Sequence, residues 1–231
     1  DDPAAFRAIE LTNGGRFPTK ETLAMWDELL VQGYEVWGVG GSDAHSRSVD
    51  VRDLLHGGPG LANLGKIGVS RTYAFVPEDL APVEGYDATD PDDPVRRAIY
   101  SGGVVASNGP RALAVIGDAG PGETATIPPG EVTVQVGILW PLAFSSEHPH
   151  PDRVRLTYSK IAPGCGDACP RALVVERDAP ADSHVMTVPL ALPAEWERAY
   201  VRVEVVADDD KPLGAFVSPI FIERSAAASA S

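Results

Sequence analysis

Cysteine is scarce in this chain: its 231 residues include two, Cys165 and Cys169. No second Cys or His pair stands at a spacing that would complete a zinc site with them, which argues against a zinc module. Long apolar runs are also missing. None approaches the roughly 20 residues of a membrane-spanning helix, so no membrane partner is expected. Asp1-Asp2-Pro3 lacks the basic and apolar regions of a signal peptide, so the expectation is a cytoplasmic protein or one whose start has been removed. Basic residues are few, 19 Lys and Arg against 33 Asp and Glu, for a net charge of -14 and a pI near 4.7. Such a surface repels phosphate backbones and argues against a nucleic-acid partner. A local positive or metal-based site can still take an anionic small molecule. No internal repeat is visible.

What is present suits a packed protein of one or two domains, 44% hydrophobic and 23% charged. The first half alternates strand and helix signals. Phe6–Leu11 reads as a strand broken by Asn13-Gly14-Gly15. Thr19 is an N-cap, and Leu23, Trp26, Leu29 and Leu30 share a helical face that Gly33 closes at C′. Tyr34–Val39 and Arg71–Val76 read as strands. Asp93-Pro94 opens a second helix, which stops before Gly102-Gly103, and Val104–Ser107 is a further strand. Strands alternating with helices predict a parallel α/β layer.

From about Arg111 helical periodicity disappears. Short runs recur at Ala112–Ile116, Val132–Leu139, Val154–Tyr158, Leu173–Glu176, Val185–Leu190, Tyr200–Val206 and Ala215–Ile222. Proline and glycine loops separate them, the pattern of an antiparallel β-sandwich. Val201-Arg202-Val203-Glu204-Val205 alternates, with valines expected inward and charges outward. Cys165 and Cys169 lie in a Gly/Pro loop. A disulfide clamping it would favour an exported (periplasmic or secreted) protein; a reduced pair is the other reading.

The chemistry concentrates in Gly40-Gly41-Ser42-Asp43-Ala44-His45. In extended chain, positions i and i+2 share a side, so Asp43 and His45 can face one cavity. A carboxylate and an imidazole are both ligands for Zn, Mn or Fe. Further residues come from around this motif: Glu10 and Asn13 follow a strand at its C-terminal end, Ser42 can hydrogen-bond groups behind the ligands, and His56 sits in a glycine-rich loop. Arg71 and Arg111 are suited to an anionic substrate or to nearby carboxylates. His148-Pro149-His150, between two predicted strands, reads as a surface loop. Trp26, Trp37, Trp140 and Trp196 read as packing.

The ordered set Ala8-Ile9-Glu10-Leu11-Thr12-Asn13-Gly14, Trp26–Gly33, Gly40–His45, Gly68–Tyr73 and Ser107-Asn108-Gly109-Pro110 resembles the C-terminal part of the PHP (polymerase and histidinol phosphatase) family of metallohydrolases, in its CehA/McbA-type branch. The resemblance covers about residues 5–110. It implies a distorted β/α barrel with ligands at the C-terminal strand ends, two or three divalent metal ions, and an appended β-sandwich. It implies that Asp43 and His45 are metal ligands and that a metal-activated water attacks a phosphoester or a related ester or amide bond. The family's first motif is a His-x-His, and no histidine precedes Asp43 here. The expectation is therefore the downstream part of such an enzyme, inactive alone, with the missing N-terminal barrel half as its partner. The division expected is 1–110 for the end of the barrel, 111–225 for an Ig-like sandwich and 226–231 for a disordered tail. The alternative is a noncatalytic sandwich that binds a partner and carries a vestigial α/β segment.

Overall fold

The computed structural model describes residues 7–14, 16–41, 70–76, 92–128, 130–139, 152–180, 184–207 and 213–225. Its first elements are β1 (Ala8–Asn13), α1 (Lys20–Val31) and β2 (Trp37–Gly41). The α1 boundaries follow from local chemistry. Thr19 Oγ1 accepts the Thr22 amide at 3.2 Å and satisfies a donor that the helix cannot. At the other end Gly33, at φ +87°, donates to the Leu30 carbonyl, and Tyr34 donates to the Leu29 carbonyl. That pair of bonds is the Schellman arrangement, which requires a left-handed C′ residue and so selects glycine. Trp26 and Leu30 are fully buried, and the Trp26 indole donates to the Val36 carbonyl at 2.8 Å.

After β3 (Arg71–Ala74) comes α2 (Pro94–Ser101), with Asp93 Oδ1 accepting the Val95 and Arg96 amides. It ends at Gly102, φ +84°. The remaining strands are β4 (Val104–Ser107), β5 (Arg111–Val115), β6 (Thr124–Ile127), β7 (Glu131–Leu139), β8 (Arg153–Lys160), β9 (Leu173–Asp178), β10 (Val185–Ala191), β11 (Arg198–Ala207) and β12 (Leu213–Arg224). Each of the seven runs expected after Arg111 is a strand. The short β6, parallel to the end of β12, carries no alternation long enough to read in advance.

Among the described residues the protein is mostly β, with few helices. A central sheet runs β3-β4-β12-β11-β8-β9, with β6 beside β12; a small sheet runs β10-β7-β5; and β1 pairs with β2. Among the described residues no sheet closes on itself. Strand–helix alternation predicted parallel pairing, and β1–β2 is parallel. The chain departs from that expectation at β3 and β4, which run antiparallel to one another, while β4 pairs antiparallel with β12. The reason lies in the connection. Gly103 bonds back to Ala98, and the Phe75 amide bonds to the Gly103 carbonyl. The chain leaving α2 is thereby turned back along β3 instead of crossing over it.

Two cores lie on opposite faces of the central sheet. On one face, Leu156, Val201, Val203, Val205, Val217 and Ile220 meet Ala114, Val134, Val136, Val188 and Leu190 of the small sheet, forming a sandwich. On the other, Tyr200, Phe216, Val104 and Ala106 meet Ile9, Leu11, Trp26, Leu30, Val36 and Trp37 of the β1–α1–β2 layer. Strands β11 and β12 are consequently buried on both sides. This corrects the outward, solvated placement expected of Arg202 and Glu204. Both point away from the valine face, but α1 covers the side they point to, leaving them 3% and 1% exposed.

Cys165 and Cys169 form a disulfide. Their loop lies against the core beneath the β1–α1–β2 layer, and the Ala162 amide donates to the Val31 carbonyl at 2.7 Å. The loop thus occupies an otherwise orphaned acceptor at the end of α1.

Candidate functional site

Strands β1 and β2 are parallel, so their C-terminal ends come to one edge. Asn13 pairs with Gly41 and Thr12 with Gly40, while Glu10 pairs with Val39. The register shifts between Glu10 and Thr12, and Leu11 is the extra residue. Such a bulge re-aims neighbouring side chains. Here Leu11 and Thr12 are both buried while Glu10 stays exposed.

The glycines of β2 have a steric reason. A Cβ on Gly40 would stand 2.5 Å from Thr12 Oγ1 and 2.7 Å from the Arg71 carbonyl oxygen. A Cβ on Gly38 would overlap Leu11. Gly41 makes room for Glu10: Glu10 Oε1 occupies the space where its side chain would begin, 2.5 Å from the Cβ position. The other Glu10 oxygen accepts from Asn13 Nδ2 at 2.9 Å. β2 is tied to β3 by Thr72 Oγ1, which accepts the Gly40 amide at 2.9 Å and donates to the Gly40 carbonyl at 3.1 Å. Thr12 Oγ1 is buried without a hydrogen-bond partner.

The strand tip therefore brings together Glu10, Thr12, Asn13, Gly40, Gly41 and Thr72. Asp43, His45, Ser42 and His56 lie outside the described residues, as do His148-Pro149-His150 and Trp140. Arg71 is on β3, but its guanidinium lies over Tyr73, on the side of the strand opposite the Thr72 hydroxyl. Thr12 and Thr72 were not singled out from sequence. Their roles come from pairing across strands remote in the chain, and a threonine in a strand is ordinary. Among the described residues no group of three His, Cys, Asp or Glu side chains converges as a metal site would.

A second polar constellation lies between α1 and the central sheet. Arg202 Nε and Nη2 donate to the two Asp27 oxygens at 2.6 and 2.7 Å, and Arg202 also pairs with Glu204. Arg155 reaches Glu204 at 3.3 Å and Glu176 at 2.6 Å. The Tyr200 hydroxyl donates to Asp27 at 3.1 Å. Burial, and then the Asp27 charge, push the Tyr200 hydroxyl well above the usual phenol range. Burial opposes the Arg202 charge, but hydrogen bonds and charge from Asp27 and Glu204 outweigh it and hold the guanidinium protonated. Every charge in this network has a partner of opposite sign, the arrangement of a structural tie.

Comparison of the chain with protein-family models, with curated proteins and with solved structures gave no match.

Proposed function

We propose that this chain is the downstream part of a metal-dependent hydrolase of the PHP type, acting on a phosphoester or a related ester or amide. The observation that supports the reading most is the placement of Glu10 Oε1 against Gly41, two residues before Asp43. Parallel strand ends are where β/α enzymes gather ligands and substrate. The fit to a metal rests on donor chemistry. Glu10 supplies a hard carboxylate oxygen at the edge where the chain continues to Asp43 and His45, and Asn13 orients that carboxylate through its second oxygen. In this reading Asp43 and His45 hold the ions, and the ligand set is completed from the N-terminal barrel half. Divalent ions bound there would supply an activated water and polarise the scissile bond. Glu10, Asn13 and the Thr72-anchored Gly40 hold the edge in place.

With so few ligands the isolated chain should bind one ion weakly and turn over little. Free Mn²⁺ measured by electron paramagnetic resonance tests this. Weak binding that disappears in both Asp43→Ala and His45→Ala supports the reading, and binding indifferent to both sinks it. Assays of bis(p-nitrophenyl) phosphate hydrolysis with Mn²⁺ or Zn²⁺ should show almost no turnover. Robust turnover abolished by Asp43→Ala would refute the inactivity.

The second reading, a noncatalytic sandwich that binds a partner, is favoured by the double burial of β11 and β12. The α/β layer there serves as a lid on the sheet. Elemental analysis showing no metal, with no His-x-His strand encoded upstream, would favour it.

A further inference from the structure

Two guanidinium groups in this strongly acidic protein face the same tyrosine. The Arg71 Cζ lies 5.7 Å and the Arg111 Cζ 5.0 Å from the Tyr73 ring centroid. Among the described residues neither arginine has a carboxylate within ion-pair distance. Arg71 Nε and the Tyr73 hydroxyl are buried without a hydrogen-bond partner. Buried donors left unmet cost free energy, and here they stand beside two positive charges. Those two atoms are themselves covered; what an anion would balance is the charge of the half-buried Arg71 and the exposed Arg111.

The surroundings specify what the anion is attached to. Alternation along an extended chain puts Arg71, Tyr73 and Phe75 in one row and Arg111, Leu113 and Val115 in another. Phe75, Leu113 and Val115 line an open cleft of about 760 Å³, with Arg97 and Tyr100 of α2 also in its lining. That size lies within the range of small-molecule sites, roughly 300–1,000 Å³. Leu113 and Tyr100 are exposed, at 37% and 61%. Asp118 and Glu123 line the cleft as well; Arg71 and Arg111 stand outside its lining, in the same strand rows as Phe75 and Leu113. The polarity is set: an anionic head belongs at Arg71 and Arg111, an apolar body along Phe75, Leu113 and Val115.

We propose that the Arg71–Tyr73–Arg111 stack and the adjoining cleft form a binding site for a small amphipathic anion. Its carboxylate, phosphate or sulfonate head is held by the two guanidiniums, and its apolar body lies on the β3 and β5 rows. From Arg71 to Phe75 is four strand residues, roughly 13 Å, the reach of a medium-length alkyl chain. The site is distinct from the β1–β2 edge, because the Arg71 side chain lies over Tyr73, on the side of β3 opposite the Thr72 hydroxyl.

The test is calorimetric titration of the full chain with sodium decanoate below its micellar concentration, and with decanol as the neutral counterpart. One saturable site is expected for decanoate, binding at least tenfold tighter than decanol and weakening as salt is raised. Arg111→Gln and Leu113→Glu should each weaken decanoate at least tenfold. Arg198→Gln, at a surface pair with Glu223, should not. Circular dichroism checks that each variant is folded; if Arg111→Gln is not, Leu113→Glu and the decanoate–decanol comparison decide. The proposal is overturned if wild-type protein shows no saturable decanoate binding, if decanol binds equally well, or if the folded variants keep wild-type affinity.

Discussion

Arg202 on β11 grips both carboxylate oxygens of Asp27 on α1, at 2.6 and 2.7 Å, and its guanidinium lies 5.1 Å from the Trp26 ring centroid. One side chain thus meets the helix through charge, hydrogen bonds and an aromatic face. The arginine is 3% exposed and Asp27 19%, so solvent competes weakly. Fork-to-carboxylate geometry is the strong form of such a pair. Removing one partner leaves a buried charge short of its counterion, which costs about 3–5 kcal/mol in fully buried cases. Asp27→Ala is expected to destabilise by about 3 kcal/mol in urea unfolding. Asp27→Leu combined with Arg202→Met should cost less than the sum of the two single changes, because neither leaves the other charge stranded. Additive costs would show that the pair is not the tie between the layers.

The same contact sets an alkaline limit. Tyr200 keeps its proton in the folded state far above the ordinary phenol range, whereas the unfolded chain releases it near pH 10. Above that pH the unfolded state holds fewer protons than the folded one, so stability falls as pH rises. One such group contributes a slope of about 1.4 kcal/mol per pH unit. Tyr200→Phe is expected to be less stable than wild type at pH 8, having lost the bond to Asp27. Its further loss between pH 10 and 11 should be the shallower one. Equal slopes in chemical denaturation at the two pH values would remove Tyr200 from the explanation.

The legible parts of this fold are the local ones. Thr19, Gly33, Asp93 and Gly102 mark helix ends because caps depend on a few neighbouring residues. The strand runs after Arg111 show because period-2 patterning is written within each run. Arg202 and Glu204 were misplaced because a helix some 170 residues earlier in the chain covers their side of β11, and alternation reports which side a residue faces, not what lies there. β3 and β4 misled for a related reason: a strand–helix–strand spacing is compatible with a crossover and with a turn back, and the bonds around Gly103 decide. At the candidate site, Glu10 and Asn13 were legible as residues near a strand's C-terminal end, although both lie within β1 and do not follow it. Thr12 and Thr72 were not, since their meeting with Gly40 depends on the pairing of three strands.

Gly40 connects that strand tip to stability. Any Cβ there meets Thr12 Oγ1 at 2.5 Å and the Arg71 carbonyl at 2.7 Å, and the second of these is backbone that cannot rotate aside. Overpacking of this kind costs typically about 1–3 kcal/mol. Gly40→Ala is expected to destabilise by about 2 kcal/mol and to shift the edge leading to Asp43, weakening Mn²⁺ binding beyond wild-type levels. Gly117→Ala is the comparison: Gly117 has a left-handed backbone, φ +60°, but open space around it. It should cost stability without touching Mn²⁺ binding. Unchanged Mn²⁺ affinity in Gly40→Ala would separate this edge from the metal.

The disulfide loop offers the last check, because its effect should be local. Cys165 and Cys169 are four residues apart, and closing so short a loop stabilises by about 2 kcal/mol in the chain-entropy description. Gly166, Asp167 and Ala168 are exposed, so a reductant can reach the loop. What reduction loosens is set by the Ala162 bond to Val31 and by the packing of Ile161 and Pro163 on Gly33. Reduction, or Cys165→Ser with Cys169→Ser, is expected to lower the melting temperature and to speed hydrogen exchange at the amides of Gln32, Gly33 and Tyr34, which close α1. Exchange in β7 and β10, on the far side of the central sheet, should not change. If the small sheet loosened equally, the loop would be a support of the whole protein, and its assignment as a clip on α1 would fail.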